Sequence, residues 1–140
     1  MNITHLVKNA HVVSIGLFVI SLPQTCFICG DASDNSFIVL LVGWMGVPIG
    51  GANLVWLANP LLAISWILFS RHHYSKAALT AGIATITAFS FLFFHMLAID
   101  EGGSLNHINS VQLGYWFWLS SCFIIFIGSA FCCLRGIKGK

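Results

Sequence analysis

The chain has 140 residues, 58% of them hydrophobic and only 7% charged, with six Lys and Arg against four Asp and Glu. A soluble domain carries roughly a quarter charged residues, so this composition excludes one and makes lipid the expected solvent for most of the surface. A net charge of +2 gives no electrostatic footprint for nucleic acid.

Lys8 precedes the first apolar block, which predicts a span over about 11–29. Pro23 bends or ends its backbone hydrogen bonding. The block is long for the core of a cleaved signal peptide, so an uncleaved span is expected. Asp31 and Asp34 follow it. The charge-free run from Asn35 to Ser70 comes next and far exceeds the roughly 20 residues one span needs. Arg71 and Lys76 close that run, and an apolar block over about 77–99 forms the next span. Asp100 and Glu101 follow, then a last span over about 111–134, and Arg135, Lys138 and Lys140 end the chain.

The sign of the charge alternates from one inter-span segment to the next. Lys and Arg gather on the cytoplasmic side of bacterial membrane proteins. The alternation therefore predicts four crossings, with both termini in the cytoplasm and 31–35 and 100–110 outside. Parity also divides the long run. A full hairpin there would put Asp31, Asp34, Arg71 and Lys76 in one compartment and invert every later charge. One crossing over about 53–70 keeps the order, leaving 36–52 as a re-entrant or interfacial piece of the outer side that turns back through its glycines. The expected fold is thus an all-α, single-domain membrane four-helix bundle with that extra segment between helices 1 and 2.

Irregular backbone at membrane depth survives only against protein or trapped water, which makes the junction of the two pieces the first place to look for a site. Gly46 and Gly50 read as a turn, since Pro48 between them breaks a continuous helix. Asn53 is expected to cap the second span. Pro60 should leave the Trp56 carbonyl without its helical partner, and Asn59 should face a neighbouring helix or a polar pocket, because a bare amide in hydrocarbon is costly. These six residues are the pocket or pore candidates.

Span 3 carries small residues at helical spacing, Ala77, Ala81 and Thr85 in one row and Ala78 and Gly82 in another. Such rows allow close helix approach, so span 3 is expected at the centre of the packing or at a contact between copies. Trp44, Trp56, Tyr115, Trp116 and Trp118 lie toward the outer boundary as interfacial anchors. The histidines show no zinc-ligand spacing, and neither a metal nor another cofactor is expected. No acidic or basic residue falls within a span, which removes the usual carrier of ion-coupled transport.

Cys26-Phe27-Ile28-Cys29 has the spacing of a redox pair, with a structural disulfide or two free thiols as the other readings. In this detail and in size the chain resembles the four-span, quinone-linked disulfide-forming proteins of the bacterial inner membrane. That family also uses a second cysteine pair in the second outer loop, and 100–110 has none. In Trp56-Leu57-Ala58-Asn59-Pro60-Leu61-Leu62 and Gly114-Tyr115-Trp116-Phe117-Trp118-Leu119 the chain resembles uncharacterised small four-span bacterial inner-membrane proteins. This implies the span count and the compartment and brings no activity.

No catalytic residues are expected. The function expected is that of an oligomeric sensor or anchor subunit that docks a cytoplasmic protein through Arg71, Lys76, Arg135 and Lys138. Small four-span subunits of bacterial defence and toxin-immunity systems provide the analogy. The alternatives are a homo-oligomeric pore lined by the glycine turn and Asn59, and thiol oxidation by Cys26 and Cys29.

Overall fold

The computed structural model describes residues 3–29, 32–98 and 105–136, with side chains from Asn9 onward apart from Ala32 and Ala98. The fold is helical. Helix α1 spans Ile3–Ser21, α2 Ser36–Val42, α3 Ala58–Ser70, α4 Tyr74–Ser90 and α5 Leu113–Leu134. With their flanking 3-10 turns, Gly51–Ser70, Tyr74–Phe93 and Leu113–Leu134 are long and apolar enough to cross a membrane, and Asn9–Ser21 of α1 is a shorter apolar helix.

The four long helices lie side by side in the order α1, α5, α4, α3 and alternate in direction. Each contact is made by small residues. On α4, Ala77, Ala81, Ala84 and Ala88 are all fully buried, a row at helical spacing that brings its neighbours to backbone range. Gly82 sits against the Phe126 ring of α5, where an added Cβ would lie 3.1 Å from it. Gly128 of α5 likewise faces Ala10 of α1. Thr85, expected in the same packing row, is half-buried and returns its hydroxyl to the Ala81 carbonyl at 2.8 Å.

Helices α1 and α3 meet across the remaining side through aromatic rings: Phe18 on Trp66 and His11 on Phe69, both at 5.3 Å between centroids. Ser14 ties three helices together. Its hydroxyl donates to the Ser121 carbonyl at 2.8 Å and accepts from the Trp66 indole at 2.9 Å, while the Ser121 hydroxyl donates back to the Ser14 carbonyl at 2.8 Å.

At one end of the helices lies a four-stranded antiparallel sheet that the sequence reading did not anticipate. It is built from β1 (Thr25–Cys29), β2 (Ala32–Asn35), β3 (Met96–Ala98) and β4 (Leu105–Val111), in the order β2-β1-β4-β3. The spans expected over 11–29 and 77–99 are corrected accordingly. The first helix ends before Pro23, and the next ends at Ser90 with a short turn to Phe93. An apolar stretch that continues a helix in composition is indistinguishable from a buried strand by periodicity, and only pairing between the two loops reveals it. The sheet is fastened to the helices by backbone bonds, Gln112 to the Cys26 carbonyl and Ser36 to the Gln24 carbonyl, both at 2.9 Å.

Between β2 and α3 the chain folds back on itself. Helix α2 runs into a 3-10 turn over Gly43–Ile49, the chain reverses at Gly50 and Gly51, and a second 3-10 arm over Gly51–Leu57 leads into α3. The two glycines have φ of 84° and 61°, a region where a Cβ is strained. Gly43 and Gly46 serve a different purpose, close approach. A Cβ on Gly43 would strike the Trp56 ring, and one on Gly46 would lie 2.8 Å from the Asn53 Oδ1.

Three expectations for this segment are corrected. The second α-helix begins at Ala58 rather than near Asn53, and Asn53 lies inside the 3-10 arm without capping either helix. Pro60 occupies the first turn of α3, where the missing N–H has no partner to lose. The Trp56 carbonyl is not free, for it accepts from the Ala58 N–H.

Candidate functional site

The folded-back segment, the sheet and the ends of α1, α3 and α5 enclose a partly open cavity of about 720 Å³. Its volume is that of a pocket for a drug-sized ligand. Phe18 and Leu22 at the end of α1, Phe27 of β1, Val39 of α2, Val55 of the 3-10 arm and Phe91 after α4 make its wall largely apolar. The polar groups on it are few: Asp34, Ser21 and Ser36, the Cys26 thiol, Asn53 and Asn59, and the indole and phenol heads of Trp56, Trp118 and Tyr115.

Most of those heads are already held. The Trp56 indole donates to the Leu40 carbonyl at 3.0 Å, which pins the 3-10 arm against α2. The Trp118 indole donates to Asn59 Oδ1 at 2.9 Å and joins α5 to α3. The Tyr115 hydroxyl donates to the Ala88 carbonyl at 3.0 Å. Tyr115, expected as an interfacial anchor, is instead a core residue with 1% of its surface exposed.

Cys26 and Cys29 are both buried, and both are free thiols. Three residues of extended strand separate Cα atoms by about 10 Å, beyond the roughly 7 Å a disulfide can bridge, so of the two structural readings the fold fits two separate thiols rather than a disulfide. Burial pushes the Cys26 thiol up to about 11, opposed by a hydrogen bond with Ser36 and reinforced by the nearby Asp34 charge. Burial, then the same carboxylate, also raises Cys29. Thiolate is the redox-active form, so both are held in the unreactive state.

The remaining candidates disperse. Gly46, Asn53, Trp56 and Asn59 line the cavity. Gly50 borders a smaller neighbouring cavity of about 360 Å³ with Phe94, Met96 and Leu105, and Pro60 borders neither. Arg71, Lys76 and Arg135 are exposed at the helix ends remote from the sheet, with Arg135 stacked over Phe131 at 5.1 Å. Lys138 lies outside the described residues. Among the described residues no three His, Cys, Asp or Glu side chains converge in a way that could hold a metal.

No protein family, curated protein or solved structure matches the chain.

Asp34, Ser36, Phe91 and Tyr115 are the wall residues that the sequence reading missed. Asp34 was legible only as a topology charge, Tyr115 only as an interfacial anchor, and Ser36 and Phe91 only as small polar or apolar filler. The pairing of β1 with β4, a long-range contact with no local signature, brings the segment that carries Asp34 and Ser36 to the start of α5.

Proposed function

We propose that the chain is a non-catalytic, multi-pass protein of a bacterial inner membrane that holds an apolar small molecule in its sheet-end cavity and signals to a cytoplasmic partner through its basic end. The cavity carries this reading: a volume of about 720 Å³ walled by aromatic and aliphatic side chains, with few polar groups, suits an apolar body with one polar head.

The membrane setting rests on the outward surfaces. Val12, Val19, Ile67, Leu79, Ile86 and Ile127 are all exposed on the outside of the helices, an apolar area far larger than a soluble monomer displays. In the proposed topology four helices cross the bilayer, the sheet and cavity lie at the outer face, and Arg71, Lys76 and Arg135 stand in the cytoplasm. The folded-back α2 segment then sits in the outer leaflet, with Phe37, Leu41 and Trp44 toward lipid, since all three are exposed. The pore alternative draws less support, because Asn59 gives its oxygen to Trp118 of the same chain rather than to an open axis. Thiol oxidation draws less still, given two buried and protonated cysteines.

Filling the cavity tests the reading. Ala52 is buried on its wall, so Ala52→Phe should occupy the space without touching the helix contacts. Native mass spectrometry of wild type with added long-chain alcohols is expected to show a retained ligand that Ala52→Phe loses. Equal retention by both would refute the cavity as the site.

A further inference from the structure

Among the described residues the cavity wall carries one charged side chain, Asp34 of β2. It is half-buried and stands across the β1–β2 pair from Phe27. Among the described residues no cation lies within ion-pair distance of it. The Asn53 amide, on the same wall, likewise has no hydrogen-bond partner among them. A half-buried carboxylate on a largely apolar wall, with no counter-ion among the described residues, is matched best by a cation brought by the ligand. A metal ion fits less well, because hard cations demand several oxygen ligands and among the described residues of the wall there is no second carboxylate or histidine.

The rest of the wall suits an organic cation. Phe27, Trp56, Phe91, Tyr115 and Trp118 line the same space, and Phe91, Tyr115 and Trp118 form a continuous ring stack through centroid distances of 5.6 and 5.9 Å. Aromatic faces attract alkylammonium groups through their quadrupoles while accepting apolar chains equally well. An anionic headgroup would meet Asp34 with repulsion. Building on the reading of the cavity as a ligand site, we propose that its ligand is a cationic amphiphile, with the ammonium seated against Asp34 and the apolar body lodged among the aromatic rings.

The test uses the full chain in phosphatidylcholine nanodiscs, with saturable tryptophan-fluorescence titrations by three probes of equal chain length kept below their micellar concentrations: dodecyltrimethylammonium, 1-dodecanol and dodecyl sulfate. Wild type is expected to bind the ammonium on the order of tenfold tighter than the alcohol and the sulfate weakest. Asp34→Asn should abolish the preference and leave alcohol binding unchanged, while Asp34→Glu should retain it. Raising the salt should weaken ammonium binding to wild type and spare the alcohol, a measurement that stands even if Asp34→Asn folds poorly. Equal affinities for ammonium and alcohol in wild type, or a preference that survives in Asp34→Asn, overturn the cationic ligand while leaving the cavity reading intact. Failure of all three probes to bind saturably removes the cavity reading itself.

Discussion

Two glycines of similar sequence context have opposite consequences, and only the packing around each distinguishes them. Gly16 in α1 has nothing within 4 Å of where a Cβ would stand, so Gly16→Ala removes backbone entropy from the unfolded chain and should stabilise by about 0.5–1 kcal/mol. Gly43 lies under the Trp56 ring, and that ring cannot swing away without breaking its bond to the Leu40 carbonyl. Gly43→Ala should therefore destabilise by about 1–3 kcal/mol and loosen the cavity roof. Thermal unfolding of the two variants in one detergent gives shifts of opposite sign if this is right. Cys26 offers a second check at the same scale. With its thiol at about 11, its thiolate fraction near neutral pH is about three-hundredfold below that of an ordinary cysteine. Its thiolate population keeps rising above about pH 9.5, where an ordinary thiol, half-ionised at about 8.5, has nearly levelled off. Mass-spectrometric footprinting with iodoacetamide should show exposed Cys133 reacting first and buried Cys26 far more slowly, with Cys26 labelling still climbing at about pH 10. A Cys26 as fast as Cys133 would show the strand to be open. Asn59 was legible as a residue needing a partner, since its cost in hydrocarbon is a local property. That its partner is Trp118 was not, because the two are 59 positions apart.

At the scale of elements, the helices were legible and the strands were not, for one physical reason. Helix α4 announces itself through a row of alanines every third or fourth residue, and those alanines are the ones found at 0% exposure. Thr25–Cys29 and Met96–Ala98 are short apolar pieces adjoining apolar helices, and their strand character comes from pairing with β4, which for Thr25–Cys29 belongs to another inter-helix segment. The folded-back segment falls between these cases. Its reversal could be read from the density of glycine, whereas the separate tasks of Gly43 and Gly50 could not. Gly50→Ala places a Cβ at φ of 84° and should cost about 1–2 kcal/mol; a melting temperature equal to wild type would mean that the turn has another conformation in the membrane. The polar tie among α1, α3 and α5 is the strongest test of helix order. Ser14→Ala strands the Trp66 indole and removes one bond to Ser121, for an expected loss of about 1 kcal/mol, the usual scale of an interhelical hydrogen bond in lipid. If Ser14→Ala and Ser121→Ala are coupled, the double variant should lose less than the sum of the two single losses. Strict additivity would place the two serines out of contact.

For the whole molecule, the charge pattern and the packing were obtained from unrelated properties, and they point the same way. Alternation of sign along the chain requires an odd number of crossings between Asp34 and Arg71 and again between Lys76 and the 100–101 acids. Independently, the helices alternate in direction, so that Asp34 lies at the sheet end while Arg71, Lys76 and Arg135 share the other. A half-buried carboxylate beside an apolar cavity is tolerable next to outer water and far less so in the middle of a bilayer, which favours the sheet end as the outer face rather than as a buried plug. Cysteine accessibility in intact cells decides the orientation. Cys133 is exposed at the basic end, and Leu105 of β4 is exposed at the sheet end. A membrane-impermeant maleimide is expected to spare Cys133 until the cells are opened. It should label Leu105→Cys, in a Cys133→Ser background, from outside at once. The inverted result would place the cavity in the cytoplasm and require its ligand to come from there. Labelling of both from one side would break the parity and, with it, the four-crossing topology.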